Sequence, residues 1–238
     1  MILENMKYGR LRHLTLLDPE KYDEGIIDHV VLEIEKAGSN GILVGGSTGT
    51  NHRRVDALVS AIKERTNRPV ILFPSSPSAV SLRADGIFFL SLLNSSSLRY
   101  VIGYQVRAAR LLKETRMEVI SVAYLVFEPG MTVGRVGKAR LIGRNDVSTA
   151  LNYAAAAELI GFDAIYLEAG SGAPESIEPD VVREVSKSST IPVIVGGGIR
   201  TPETAKRMLD AGAATIVTGT IAEHDPSALR RIVEALRA

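Results

Sequence analysis

What constrains this chain most is an alternation that runs its whole length. Short apolar, β-branched runs give way, unit after unit, to stretches whose apolar residues recur at helical spacing. Parallel strands need a crossover connection and a helix is the usual one, so this rhythm predicts parallel βα units. Strand-like runs are read at 13–17, 41–44, 69–73, 85–90, 117–127, 163–167, 191–195 and 214–218. Helical patterns are read at about 24–37, 53–65, 100–115, 146–160, 179–187, 203–211 and 226–236, with a short helical piece expected near 78–82. Eight units without a linker or low-complexity tract predict one domain over residues 1–238, a (β/α)8 TIM barrel close to the usual size of ~250 residues.

Composition narrows the partners. With 28 basic and 27 acidic residues the net charge is +1, so no overall field favours nucleic acid or a membrane surface, and an anionic substrate must be recognised locally. The chain has no Cys, which excludes disulfides, thiol catalysis and Cys-ligated metals. Residues 1–12 are polar and charged, and the longest purely apolar run, about 122–127, is far too short to span a bilayer. The expectation is a cytoplasmic protein without a transmembrane segment.

In a barrel of this type catalytic groups lie at the C-terminal ends of the strands, and phosphates bind in the loops after strands seven and eight. That rule selects Asp18, Ser47, Glu168, the run Gly196-Gly197-Gly198 and the pair Gly219-Thr220. Glycines there let an anion meet backbone N–H groups directly, whereas tight turns alone would not require three in succession after one strand and Gly-Thr after the next. Tyr166 and Glu168 stand two apart, hence on one face of their strand, and run into the loop Gly170-Ser171-Gly172. A carboxylate so placed can take a proton from a substrate hydroxyl; a strand-end salt bridge is the plainer alternative. Asp18 precedes Pro19 and would serve as a helix cap, but Ser or Asn would do that equally well. A carboxylate beside the hydroxyls of Ser47 or Thr48 suits Mg2+, which binds through one or two protein oxygens plus substrate phosphates. Residues 128–145 break the rhythm; a non-periodic insertion of this length inside a compact domain is usually a functional loop.

Several familiar patterns fail. No Lys follows the run 45–50, so it is not a nucleotide phosphate loop, and Gly170-Ser171-Gly172 lacks the third glycine of a dinucleotide fingerprint. His13, His29, His52 and His224 have no ligand spacing and read as surface or packing residues.

The motifs Leu14-Thr15-Leu16-Leu17-Asp18-Pro19-Glu20-Lys21, Val44-Gly45-Gly46-Ser47, Tyr124-Leu125-Val126-Phe127-Glu128-Pro129-Gly130, Tyr166-Leu167-Glu168-Ala169-Gly170-Ser171-Gly172 and Val195-Gly196-Gly197-Gly198-Ile199-Arg200 stand in the order found in geranylgeranylglyceryl phosphate synthases. The chain resembles that archaeal family, which has bacterial relatives that use a longer prenyl chain. The resemblance implies Mg2+-dependent prenyl transfer, in which the 3-hydroxyl of sn-glycerol 1-phosphate attacks C1 of geranylgeranyl diphosphate and diphosphate leaves. It implies Asp18 and Ser47 as metal ligands and Glu168 as general base. Contacts to glycerol phosphate fall on Tyr166, Leu167, Glu168, Ala169, Gly170, Ser171, Gly172, Gly196, Gly197, Gly198, Gly219 and Thr220.

An apolar trough for the prenyl tail is expected among Phe88, Phe89, Leu90, Leu93, Tyr100 and Tyr104, for which plain packing is the alternative. Three places depart from or vary within the family. Leu16 stands where some members have Lys, Ser97-Leu98 replaces the usual Asn-Pro, and Thr220 stands where many members have Asn. Tyr100 occupies the place of a bulky aromatic that stops the channel and so fits a C20 donor. The resemblance also implies a homo-oligomer, a dimer or an even-numbered ring such as a hexamer. Two rival readings are a sugar-phosphate isomerase or lyase on the same phosphate-binding barrel, and a non-catalytic barrel that binds an isoprenoid or phosphate ester.

Overall fold

A computed structural model describes residues 1–22, 24–46, 51–219, 221 and 225–237. Ser47 and Thr220, both expected at the site, lie outside the described residues, as do Thr48 and His224. Eight parallel strands close in sequence order into one barrel: β1 (His13–Leu17), β2 (Gly41–Val44), β3 (Val70–Leu72), β4 (Gly86–Leu92), β5 (Glu118–Val126), β6 (Ala164–Glu168), β7 (Val193–Gly196) and β8 (Thr215–Thr218), with β8 pairing back to β1. The (β/α)8 expectation is met. The period of two along each strand sorts the side chains. Leu14, Leu43, Ile71, Phe88, Tyr124, Tyr166, Ile194 and Val217 fill the barrel, and their neighbours pack outward in two clusters beneath the helices.

Helices α2 (Glu24–Ala37), α3 (His52–Lys63), α4 (Tyr104–Lys113), α6 (Val147–Ile160), α7 (Pro179–Ser188), α8 (Pro202–Asp210) and α9 (Pro226–Ala235) form the outer layer, and the six-residue helices α1 (Ile2–Lys7) and α5 (Met131–Val136) complete the set introduced here. Their starts are written in the sequence. Asn51, Asp146, Thr201 and Asp225 accept from the N–H groups of Arg54, Thr149, Thr204 and Ala228 at 3.0–3.2 Å, which satisfies donors that a helix cannot. Among the described residues no helix is long and apolar enough to cross a membrane.

Three features differ from the sequence reading. Residues 1–12 carry no periodic pattern, yet α1 forms and closes the N-terminal end of the barrel. The Glu118 carboxylate accepts the Ile2 and Leu3 N–H groups at 2.6 and 2.9 Å, and the Ile2 side chain lies over Gly86 where a Cβ would meet it at 2.5 Å. The helical piece near 78–82 is absent: residues 74–85 run as turns, because Pro74 and Pro77 fix φ and lack the N–H a helix would use. The flank of β3 and β4 is thus left without a helix of its own. Finally, residues 128–145 are not featureless. They contain α5 and are pinned by Asn94, whose side chain donates to the Val126 and Arg140 carbonyls at 2.8 and 2.9 Å.

Candidate active site

β6 runs one residue further than the sequence suggested, so Glu168 is the last residue of the strand, paired in register with Gly196 of β7. Tyr166 and Glu168 both face the barrel interior, as their spacing predicted. Register also brings in a residue that local reading missed. Tyr124 of β5 pairs with Tyr166, and its hydroxyl donates to Glu168 Oε2 at 3.2 Å. Glu168 Oε1 accepts the Gly170 N–H at 2.6 Å, and the Tyr166 hydroxyl gives a further hydrogen bond.

The carboxyl of Glu168 is buried, with 6% of the residue exposed. Burial raises its pKa above the ordinary carboxylate range, and the hydrogen bonds from Gly170, Tyr124 and Tyr166 offset only part of that. Burial and the nearby carboxylate push both tyrosine hydroxyls well above their usual range, so they stay protonated and serve as donors. The group is therefore a carboxylate of strengthened basicity, held in place on both oxygens.

On one side of Glu168 lies a cleft lined by Tyr166, Glu168, Ser171, Gly172, Gly197, Gly198, Arg200, Thr218 and Gly219, with Leu16, Ile199, Val217 and Ile221 as its apolar wall. Gly197 (φ +82°) and Gly198 (φ +69°) occupy the left-handed region. A Cβ on Gly197 would lie 2.5 Å from Glu168 Oε1, and one on Gly198 would lie 2.2 Å from the Glu175 backbone, so only glycine lets this turn press against β6 and its loop. α8 begins at Pro202, two residues beyond the cleft-lining Arg200, with Thr201 capping its first turn. Arg200, which the sequence reading quoted within a motif but did not assign, stands at the cleft with Nη2 donating to the Gly172 carbonyl at 2.9 Å. Its position two residues after the glycine run was the available signal.

Not every expected contact reaches the cleft. Leu167 and Ala169 are fully buried on the outer face of the strand, in the cluster beneath the helices. The Ala169 N–H is used by the Gly196 carbonyl at 3.1 Å and the Gly170 N–H by Glu168. Gly196 stands behind the cleft, where its missing Cβ makes room for the Tyr166 hydroxyl.

On the other side lies an apolar trough. Phe73, Phe88, Phe89, Leu90, Tyr100, Tyr104, Ala108 and Leu112 line it together with Val133 and Val136 of α5, and it fills the flank left without a helix after β3. Of the six residues expected there, Leu93 alone is elsewhere; it follows the end of β4 and packs against the opposite outer cluster. Tyr100 and Tyr104 meet edge to face, with centroids 5.4 Å apart. Trough and cleft share Leu16, and Tyr124, which lines the trough, hydrogen-bonds Glu168 in the cleft. The acid thus sits at the seam between the two.

Asp18 is half-buried at the end of β1 against Gly46, a glycine of the trough rim, and its Oδ1 accepts the Glu20 N–H at 3.0 Å. Among the described residues no group of three or more His, Asp or Glu could enclose an ion. A single half-buried carboxylate suits only a hard cation that takes its other ligands from phosphates and water, as Mg2+ does. His13 is a packing residue, as read. It is wholly buried, with Nδ1 2.9 Å from Ser39 Oγ and Nε2 3.0 Å from Thr218 Oγ1, and burial lowers its pKa to about 3.

The chain has clear relatives. Residues 6–236 match the PcrB family. The geranylgeranylglyceryl phosphate synthase of Thermoplasma acidophilum is 52% identical over 239 residues, covering 99% of this chain and 94% of the relative. A crystal structure of the (S)-3-O-geranylgeranylglyceryl phosphate synthase from that organism in complex with its substrate sn-glycerol-1-phosphate superposes with a TM-score of 0.95, covering 99% of this chain and 98% of the other. The wild-type enzyme from Thermoplasma volcanium superposes at 0.94, with 48% identity and 99% and 97% coverage.

Proposed function

The chain belongs to the PcrB family, and from that premise we infer that it is a prenyltransferase joining sn-glycerol 1-phosphate to geranylgeranyl diphosphate. One observation carries the reading: a single buried carboxylate lies at the seam between a glycine-lined cleft with a cation and an apolar trough. The T. acidophilum enzyme, which takes sn-glycerol-1-phosphate, shares half of this sequence and nearly all of the fold.

In this reading the phosphate rests against Gly197, Gly198, Gly219 and Thr220, with Arg200 beside it, so that the glycerol 3-hydroxyl reaches Glu168. The tail lies in the trough, and Tyr100 limits its length to C20. As the hydroxyl oxygen bonds to C1 of the donor, the C1–O bond to diphosphate breaks and the hydroxyl proton passes to Glu168. Tyr124 and Tyr166 orient the carboxylate for that transfer. Asp18 and Ser47 would hold Mg2+, which when bound neutralises the charge that builds on the departing diphosphate. Leu16, shared by both cavities, keeps the seam apolar and water-poor, which strengthens each electrostatic contact there. A homodimer or an even-numbered ring is the expected assembly, and Leu159 and Ile160, exposed at the end of α6, are apolar surface that an assembly would cover.

The test offers C15, C20 and C35 prenyl diphosphates to the protein with sn-glycerol 1-phosphate and Mg2+, and repeats the reaction with a chelator. A C20 ether formed only with the metal supports the reading. Isomerisation or cleavage of a sugar phosphate, or binding without turnover, overturns it.

A further inference from the structure

The walls of the trough have an outer side whose chemistry the transfer reaction leaves unused. A π-helical turn, Arg99–Gly103, leads into α4, and the two present Tyr100, Tyr104, Ala108 and Leu112 inward to the trough. Outward, at intervals of four, they present Leu98, Ile102 and Val106, which are 77%, 52% and 68% exposed. Arg110 continues that row by one more turn, and Arg99 and Arg107 flank it. The segment around α5 lies alongside, because the Ser96 N–H donates to the Lys138 carbonyl at 2.9 Å and the Arg140 N–H to the Asn94 carbonyl at 2.7 Å. It adds Arg135, Lys138 and Arg140 together with the exposed Met131 and Leu141.

Charge on this side is one-sided although the chain as a whole is nearly neutral. The turn and α4 with Leu98, residues 98–113, and the 130–141 segment hold seven Lys and Arg and no acid, with Glu114 and Glu128 the acids that stand beside them in sequence. Among the described residues the one ion pair formed by these cations joins Arg110 to Glu114 at 3.7 Å. Exposed aliphatic side chains set among unneutralised cations are the chemistry of a protein face that meets an anionic lipid surface: the cations meet the headgroups and the aliphatic groups enter the boundary beneath them. A second copy is the poorer occupant, since a two-fold contact would bring the cations that flank this row face to face with their own copies.

We propose that the outer face of the Arg99–Gly103 turn and α4, with the adjoining 131–141 segment, docks on an anionic lipid surface, so that the trough opens beside the bilayer. The proposal concerns a surface and not the chemistry. Vesicle binding is read with no prenyl donor present, so its failure leaves the transfer reading standing, and the reverse holds too.

The experiment is flotation of the full chain with vesicles of phosphatidylglycerol and phosphatidylcholine in equal parts, or of phosphatidylcholine alone, at low and high salt. Binding is expected to the anionic vesicles and to weaken with salt. The triple variant Arg110→Gln/Lys138→Gln/Arg140→Gln should bind about 100-fold less, as expected for three cations near such a surface. Leu98→Ser/Ile102→Ser/Val106→Ser should also bind more weakly. Both should keep the wild-type melting temperature and transfer rate with a donor in solution, because none of the six lines either cavity. Equal binding to both vesicles, undiminished binding by the variants, or a fall in sedimentation mass in the variants, which would assign the face to a second copy, overturns the proposal.

Discussion

Replacing Gly197 by Ala is the sharpest perturbation of the cleft, because two costs can be worked out in advance. The residue sits at φ +82°, where an L side chain costs about 1–2 kcal/mol. The new Cβ would lie 2.5 Å from Glu168 Oε1, 2.6 Å from the Gly170 nitrogen and 2.9 Å from the Ala169 nitrogen. The Ala169 nitrogen is bound in the β6–β7 ladder and cannot step aside, so the carboxylate must move and lose its Gly170 hydrogen bond. Losing a hydrogen bond to a buried charged group costs about 1.5–3 kcal/mol. Together the two predict a loss of roughly 3–5 kcal/mol, which for a chain of this size lowers the melting temperature by roughly 6–20 °C.

Gly161→Ala is the matched control. Its φ is +97°, but nothing lies within 4 Å of its added Cβ, so only the backbone cost applies. Calorimetry should rank Gly197→Ala below Gly161→Ala. Kinetics with sn-glycerol 1-phosphate as varied substrate should show kcat/KM down about 100-fold or more for Gly197→Ala, as for a lost preorganised charge contact, and near wild type for Gly161→Ala. A Gly197→Ala variant that melts with Gly161→Ala and keeps its kcat/KM would refute the claim that this glycine exists to bring the turn against Glu168.

Other outcomes follow from the same geometry. Burial raises the folded-state pKa of Glu168 above its unfolded value near 4.3, so its protonated form is the one the fold favours. Melts across pH should show Glu168→Gln gaining on wild type as pH rises through that folded pKa, with no advantage below about pH 4. The acid limb of the wild-type kcat/KM profile should correspondingly lie above the ordinary carboxylate range. His13 has the opposite sign: its folded pKa of about 3 lies below the usual 6.5, so wild type should lose stability as pH falls from 6.5 towards 3. That loss amounts to roughly 4–5 kcal/mol at its limit, and His13→Asn should flatten the slope in denaturant titrations across that range. Arg200→Gln should raise KM for sn-glycerol 1-phosphate about tenfold with kcat little changed, as for one charge-assisted hydrogen bond at a partly exposed site. An unchanged KM would leave recognition to the glycines alone.

Much of this was legible from local sequence. Alternating strand and helix patterns implied the barrel, and the rule that chemistry gathers at strand C-terminal ends led to Glu168, Gly197, Gly198 and Gly219. The Tyr166–Glu168 spacing placed both on the inner face. What was not legible is what depends on distant pairing or on a missing element. Tyr124 reaches Glu168 only because β5 and β6 pair in the register that sets it beside Tyr166, 42 residues away in sequence. The open flank after β3 arises from two prolines in a stretch whose apolar residues still suggested a helical turn. α1 is too short to show a period, and its place is set by a carboxylate more than 100 residues away.

The most direct test of Glu168 as the base is single-turnover transfer from geranylgeranyl diphosphate to sn-glycerol 1-phosphate with Mg2+, comparing wild type with Glu168→Gln. Loss of the base while the glycines and Arg200 remain predicts a rate lowered about 10²- to 10⁴-fold, with affinity for sn-glycerol 1-phosphate within a few-fold of wild type. A Glu168→Gln variant that transfers at the wild-type rate would mean that the proton leaves by another route and that the buried carboxylate is structural.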